Sequence, residues 1–266
     1  EISACLVGSE MCIRDRISRI INLVIVVLLG AVLVKAKQHP ERESNRAVMG
    51  QIIRIGLPSA CETAIYNVSM TLVIRFLNQM DAQGLNVTAR SYTMQITNFS
   101  YCVGAALAQA NAIMTGWHIG AKEYDACDRG TKKAAVIGVI VAVILETVFT
   151  LCSGWIMQLF SKDPQMVSLV GKLLAIDIVL EIGRVTNLVY GQALKTSGDA
   201  VFPVVMGACF MILCSVGGTY LFGIRLGLLA VGAYIGMTGD ECVRAVGMYL
   251  RWKSGKWKEK GLVKSR

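Results

Sequence analysis

From Ile17 onward, long apolar runs alternate with short connectors that carry most of the charge. A run at 17–34 is followed by a basic stretch at 35–54, then by apolar spans near 55–78, 87–118, 134–160, 166–194, 202–223 and 227–250. A helix of about 20 mostly apolar residues is long enough to cross the hydrocarbon core of a bilayer. The pattern predicts an all-α polytopic membrane protein, with a six-helix bundle over 55–251, one further helix at 17–34 before it and a basic tail at 252–266 after it. Proline placement agrees with this parse. Pro40 falls in a connector, while Pro58, Pro164 and Pro203 fall at the first turn of an expected helix, where a missing N–H costs least. Ser161 or Asp163, and Asp199, are expected polar caps near helix starts.

The opening residues do not continue the pattern. LVGSEMCIRD, at 6–15, reads as one frame of a translated sequencing-library adapter, and a ten-residue match of that kind does not arise by chance. Residues 1–16 are therefore assigned to no domain, and the run at 17–34 is expected to be the remnant of a longer helix.

Composition narrows the class. With 54% hydrophobic residues, 17% charged residues and a mean hydropathy of +0.54, the chain is too apolar for an ordinary water-soluble domain. The net charge of +9 points to topology and not to nucleic acid, because the basic residues sit between and after the apolar spans. Segments 35–54 and 122–133, Lys195 and the tail are rich in Lys and Arg, whereas the turns at 79–86 and 161–172 are poor. By the positive-inside rule the rich side, with the carboxy terminus, is expected in the cytoplasm; the protein is expected to be integral to the plasma (inner) membrane. Nine cysteines are scattered without a C-x-x-C pair and there are only two histidines, so neither a metal centre nor a prosthetic cofactor is expected. No H-E-x-x-H pattern supports a membrane protease, and no enzymatic activity is expected.

Ionisable side chains inside membrane spans are costly and mark function by default. Glu62 lies four residues after Pro58 and has no basic residue in its own span before Arg75, so it needs a partner from another helix, a bound cation or a proton. Asp177, Glu181 and Arg184 share one span, and Asp240, Glu241 and Arg244 share another. Glu181 with Arg184 (i,i+3) and Asp240 with Arg244 (i,i+4) are spaced to neutralise each other on one helix face. Glu62, Glu181 and Asp177 are the cation-coupling candidates. Asn67, Gln95, Asn98 and Asn187, together with the two arginines and the Asp240-Glu241 pair, could line a polar cavity or bond neighbouring helices. Gly116 with Gly120 and Gly232 with Gly236 have the spacing of closely packed membrane helices.

Three stretches carry a family resemblance: IGLPSACETAIYNVS at 55–69, AQANAIMTGWHIGAKEYDACDRGTKKA at 108–134, and a third from EIGRVTNLVYGQALKTSGDAVFP to GDECVRAVGMYLRWKSGKW. In order and spacing over 50–257 the chain resembles bacterial multidrug and toxic compound extrusion (MATE) transporters. The resemblance implies a twelve-helix antiporter of two six-helix lobes that exports cationic or amphipathic small molecules in exchange for Na⁺ or H⁺. On that reading 17–34 is the sixth helix, 35–54 the cytoplasmic inter-lobe linker and 55–251 the carboxy-terminal lobe, so the chain is a fragment whose partners are the bilayer, the substrate and the missing amino-terminal lobe. It further implies a seventh-helix carboxylate at Glu62 and a tenth-helix acid at Glu181, the latter compromised by Arg184. A lipid-linked oligosaccharide flippase of the same superfamily is the alternative. Such a flippase should have a lumen dense in cations, and the sequence shows few. A seven-helix receptor is the alternative from another class.

Overall fold

A computed structural model describes residues 17, 20–28, 45–80 and 84–259. The expectations for 1–16, for 35–44 and for 260–266 lie outside the described residues. The chain divides into two compact units, 1–50 and 51–266. In the first, residues 20–28 are helical (α1) and their side chains are exposed. The second holds α2 (Asn45–Met80) from residue 51 onward, α3 (Leu85–Gly120), α4 (Tyr124–Leu151), the short α5 (Ser153–Gln158), α6 (Pro164–Thr196), α7 (Val201–Arg225) and α8 (Leu229–Lys253). A 3₁₀ turn, Lys256–Glu259, closes it. α7 is wound as a π-helix over Met211–Val216 and Thr219–Arg225.

The long helices α2, α3, α4, α6, α7 and α8 are the six that the hydropathy pattern predicts, with three differences. α2 already starts at Asn45, so Pro58 stands inside it and not at its first turn. α4 begins at Tyr124, because a charged amphipathic turn leaves no mark on hydropathy, and it ends at Leu151, leaving α5 to complete the span expected to reach 160. Asp163 does cap α6, accepting from the Gln165 N–H at 3.0 Å, whereas Asp199 binds Arg251 Nε at 2.6 Å.

α4 shows which solvent the bundle faces. Its buried stripe is small or polar: Cys127, Thr131, Ala135, Gly138, Ala142 and Glu146. Its exposed face is Val136, Ile137, Ile140, Ile144 and Val148. Large apolar side chains outside and small ones between helices invert the order of a soluble protein and suit packing in lipid. Among the described residues, α4 and α7 are the two helices whose windows are apolar and long enough to cross a membrane on composition alone. The remaining long helices carry more charge.

α6 is the central element, packing against α3, α4, α5, α7 and α8. Two apolar clusters form along it, one around Leu173, Leu174, Leu180, Val73, Leu77 and Tyr234, the other around Val189, Ala193, Leu194, Met248 and Trp252. At the second end Trp252 and Trp257 stack at 4.2 Å, and Trp252 Nε1 donates to Asp128 at 2.9 Å, tying α8 to the start of α4. Between the clusters lie Ser100 on α3, Glu146 on α4, Glu181 and Arg184 on α6, Ser215 on α7, and Asp240, Glu241 and Arg244 on α8. The bundle thus carries a polar belt halfway along its helices.

The two glycine pairs behave differently. A Cβ at Gly232 would lie 2.4 Å from the Phe222 carbonyl carbon, and one at Gly236 2.9 Å from Cys214 O, so α7 and α8 touch backbone to backbone. At Gly116 a Cβ would meet only Thr196 at 3.5 Å, and at Gly120 it would meet nothing. Gly232→Ala is therefore expected to destabilise the bundle by about 1–3 kcal/mol, because backbone cannot yield as a side chain can. Gly239→Ala, in open space on the same helix, should be neutral or slightly stabilising through helix propensity. Thermal unfolding in detergent micelles, followed by tryptophan fluorescence, checks both; equal melting temperatures would contradict the close approach.

Candidate functional site

A cavity of about 660 Å³ opens beside the polar belt, lined from α2, α3, α6, α7 and α8. Its aromatic and thioether walls are Tyr66, Tyr101, Tyr234, Met94, Met211, Met237 and Met248. Flexible Met side chains beside aromatic rings form an adaptable apolar surface. Of the residues the sequence singles out, Glu62, Asn98, Asp177, Arg184, Asn187, Glu241 and Arg244 reach the lining. Glu181 and Asp240 sit just behind it, fully or almost fully buried. Asn67 and Gln95 lie outside the lining, with their side chains on exposed helix faces.

Glu62 finds its partner on another helix. Its Oε2 accepts from Lys195 Nζ at 2.6 Å, bridging α2 to the end of α6. Glu181 Oε2 accepts from Arg184 Nη1 at 2.7 Å, leaving Oε1 buried without a partner. On α8, Arg244 Nη2 donates to Asp240 Oδ2 at 2.9 Å and lies 2.8 Å from Glu241 Oε1, so one guanidinium serves two consecutive carboxylates. Ser215 donates to Asp240 Oδ2 at 3.0 Å, and Asn187 Nδ2 donates to Glu241 Oε2 at 3.0 Å. Asp177 has no ion pair among the described residues, and its Oδ2 is buried without a hydrogen bond. Among the described residues no three acids, histidines or cysteines converge as metal ligands.

Two charged residues escape the sequence reading. Glu146 is fully buried in α4, and neither carboxylate oxygen has a hydrogen-bond partner. The charged groups close enough to act on it are Asp177, Glu181 and Arg184, and Ser100 faces it from α3. Arg90 lies in the cavity wall on α3, buried, with a 3.6 Å contact to Met70 Sδ and an unpartnered Nε. The signal was available for both, since each is a charge within an apolar span, as Glu62 is. Counted from the structure, four cations line the cavity, Arg90, Arg184, Lys195 and Arg244, against three acids, Glu62, Asp177 and Glu241. Cations are thus more numerous here than the sequence suggests, although all but Arg90 are paired with acids.

The MatE family model matches residues 58–221, which covers α3, α4 and α6 entirely. The chain is 33% identical over 249 residues to an uncharacterized transporter, YisQ, of Bacillus subtilis, covering 93% of this chain and 54% of that protein. It is 22% identical over 219 residues to a probable multidrug resistance protein, NorM, of Pasteurella multocida, covering 79% of this chain and 46% of that protein. The fold matches the crystal structure of the eukaryotic MATE transporter AtDTX14 with a TM-score of 0.79 at 17% identity, over 90% of this chain and 54% of that one. The chain therefore spans about half the length of the relatives it matches. Helix order, the polar belt beside a cavity, and the sequence match converge on one assignment: the chain belongs to the MATE family of membrane transporters, and it has the fold of one half of such a transporter.

Proposed function

We propose that this lobe forms one wall of a two-lobed secondary antiporter that exports cationic or amphipathic small molecules in exchange for Na⁺ or H⁺. The observation that carries the reading is a cavity with carboxylates in and behind its wall: Glu62 and Asp177 in the lining, Glu181 and Glu146 buried behind it. A buried carboxylate is tolerated when paired or neutral, so binding of a proton or Na⁺ changes which neighbours it attracts. At Glu62 the incoming cation competes with Lys195 for one oxygen, and its arrival frees the α2–α6 bridge. At Glu181 and Asp177 it replaces the partial attraction of Arg184. Changes of this kind shift the balance between inward- and outward-open states if the two states pair these groups differently.

In this reading the protein is integral to the plasma membrane with its basic carboxy terminus in the cytoplasm, and residues 35–54 link the two lobes. The amino-terminal lobe supplies the opposite wall of the cleft. Family membership gives no support to the receptor alternative. The four cations of the lining are the one feature the flippase alternative predicts, but three of them are neutralised by acids, so the lining is not the cation-dense lumen it requires.

Proteoliposomes loaded with a cationic dye under an imposed Na⁺ or pH gradient test the reading. The two-lobed transporter is expected to move dye uphill, Glu62→Gln to lower that rate by roughly tenfold or more, and the 266-residue chain alone to move none. Undiminished, gradient-driven transport by the Glu62→Gln protein would remove Glu62 from the coupling scheme, and uphill transport by the lone lobe would end the two-wall description.

A further inference from the structure

A second concavity lies outside the transport reading. It is a groove of about 220 Å³ between α3 and α4, near the turn at 121–123 that joins them. It shares no lining residue with the larger cavity, to which α4 contributes none. Ala110 and Met114 on α3 and Gly130 on α4, all exposed, form its mouth, and its floor is buried and polar. There Asn111 Nδ2 donates to Thr131 Oγ1 at 3.4 Å, and the Thr115 hydroxyl, 1% exposed, faces the Cys127 thiol without a hydrogen bond of good geometry. A buried hydroxyl left in that state favours a ligand that can bond it. The rim combines lipid-facing and cationic side chains. Trp117, 71% exposed, stands three residues before the end of α3, where an interfacial tryptophan belongs. On α4, Lys133 follows Gly130 by three residues and shares its exposed flank with Arg129, four positions earlier. Among the described residues neither cation has an acid within 4 Å. Of the acids at this end, Asp128 is held by Lys132 and Trp252, Glu123 by His118, and Asp125, five residues before Gly130, stands on the far side of α4.

We propose that this groove binds the headgroup of an anionic phospholipid, with its phosphate between Lys133 and the polar floor and its acyl chains running along Leu107 of α3 and Ile137 of α4. The ammonium of Lys133 supplies the counter-charge, and the Thr115 hydroxyl can donate to a phosphate oxygen. The membrane is the source of the ligand because the mouth opens onto an apolar surface: Ile113, Met114, Val136 and Ile137 are all exposed around it. Basic clefts between membrane helices at the headgroup level take anionic lipids for this reason. At about 30 Å³ for each water of liquid volume, the groove has the room of about seven waters, enough for a glycerol phosphate group and too little for a whole lipid. On the bilayer side it closes where Leu107 packs against Gly138, which leaves the chains on the outer surface of the bundle. The site is independent of whether the larger cavity binds substrate.

Native mass spectrometry of the 266-residue chain, released from micelles that carry equal amounts of phosphatidylglycerol and phosphatidylcholine, tests the site. One phosphatidylglycerol is expected to stay bound, with about tenfold preference over phosphatidylcholine, the effect of one charge-assisted contact. Lys133→Gln should cut that preference by about fivefold or more. Lys132→Gln removes the same charge from the face turned away from Gly130, where Lys132 binds Asp128 at 2.6 Å, and should leave the preference within about twofold. Gly130→Leu fills the mouth, where a Cβ meets nothing within 4 Å, so it should melt like the wild type in lipid-free micelles and yet lose the bound lipid. Should that variant melt early, the two lysine variants decide. Equal retention of the two lipids, equal effects of Lys132→Gln and Lys133→Gln, or a preference that survives in a well-folded Gly130→Leu chain overturns the inference. Displacement of the lipid by soluble glycerol 3-phosphate at equal concentration overturns it too, because the site would then be one for a free anion.

Discussion

Arg244→Met is expected to lower the stability of the bundle by about 3–5 kcal/mol, the cost of breaking a buried ion pair from one side. Its guanidinium lies between Asp240 and Glu241 and is 7% exposed, against 2% and 14% for the two acids. Removing it leaves two carboxylates adjacent in sequence, Asp240 with only Ser215 of α7 and Glu241 with only Asn187 of α6 to bond them. Asp240, 2% exposed, is shut off from water, whereas Glu241 lines the cavity. Asp240→Asn on top of Arg244→Met should recover part of the loss, since it removes one of the stranded charges, and the excess over additivity measures the coupling. Thermal unfolding of the purified chain in micelles reads all three proteins. A drop smaller than about 1 kcal/mol, the value of an exposed pair, would show that the triad is solvated and that the polar belt is not buried.

The helices were legible because a membrane span writes itself in hydropathy: each of the six predicted runs contains most of a long helix. What hydropathy cannot show is helix outside the apolar region, which is why α2 reaches back to Asn45 and α4 to Tyr124 across charged turns. It also cannot show winding, and the π-helical segments of α7 read as an ordinary apolar span. The α8 and α6 ion pairs were legible because i,i+3 and i,i+4 spacing is local. Lys195, by contrast, reads as one more basic connector residue, and only the folded bundle brings it to Glu62, 133 positions away. Glu146 and Arg90 went unread although each breaks an apolar span. Glu146 follows a long unbroken run of Val, Ile and Ala on α4, and only the packing of α4 on α6 shows that it faces acids and not lipid.

That placement gives Glu146 an expected behaviour opposite to Arg244. Arg244 satisfies its neighbours, whereas Glu146 has no cation paired with it: the Ser100 hydroxyl faces it without a hydrogen bond of good geometry, and Asp177 and Glu181 are repelled by it whenever it is ionised. Glu146→Leu therefore removes a buried polar group without stranding a partner, and the chain is expected to gain about 1–3 kcal/mol. The same substitution should lower gradient-driven export by the two-lobed transporter by roughly tenfold or more, because an acid that destabilises the resting fold is retained where its charge state is used. Unfolding of the micellar chain and dye efflux from proteoliposomes are read side by side. Loss of stability together with loss of export would mean that Glu146 is a structural group with an unseen partner. Gain of stability with export intact would mean that the coupling carboxylates are Glu62, Asp177 and Glu181 alone. Only the opposed signs, a firmer lobe and a slower pump, are what an unpartnered carboxylate at the centre of a coupling site requires.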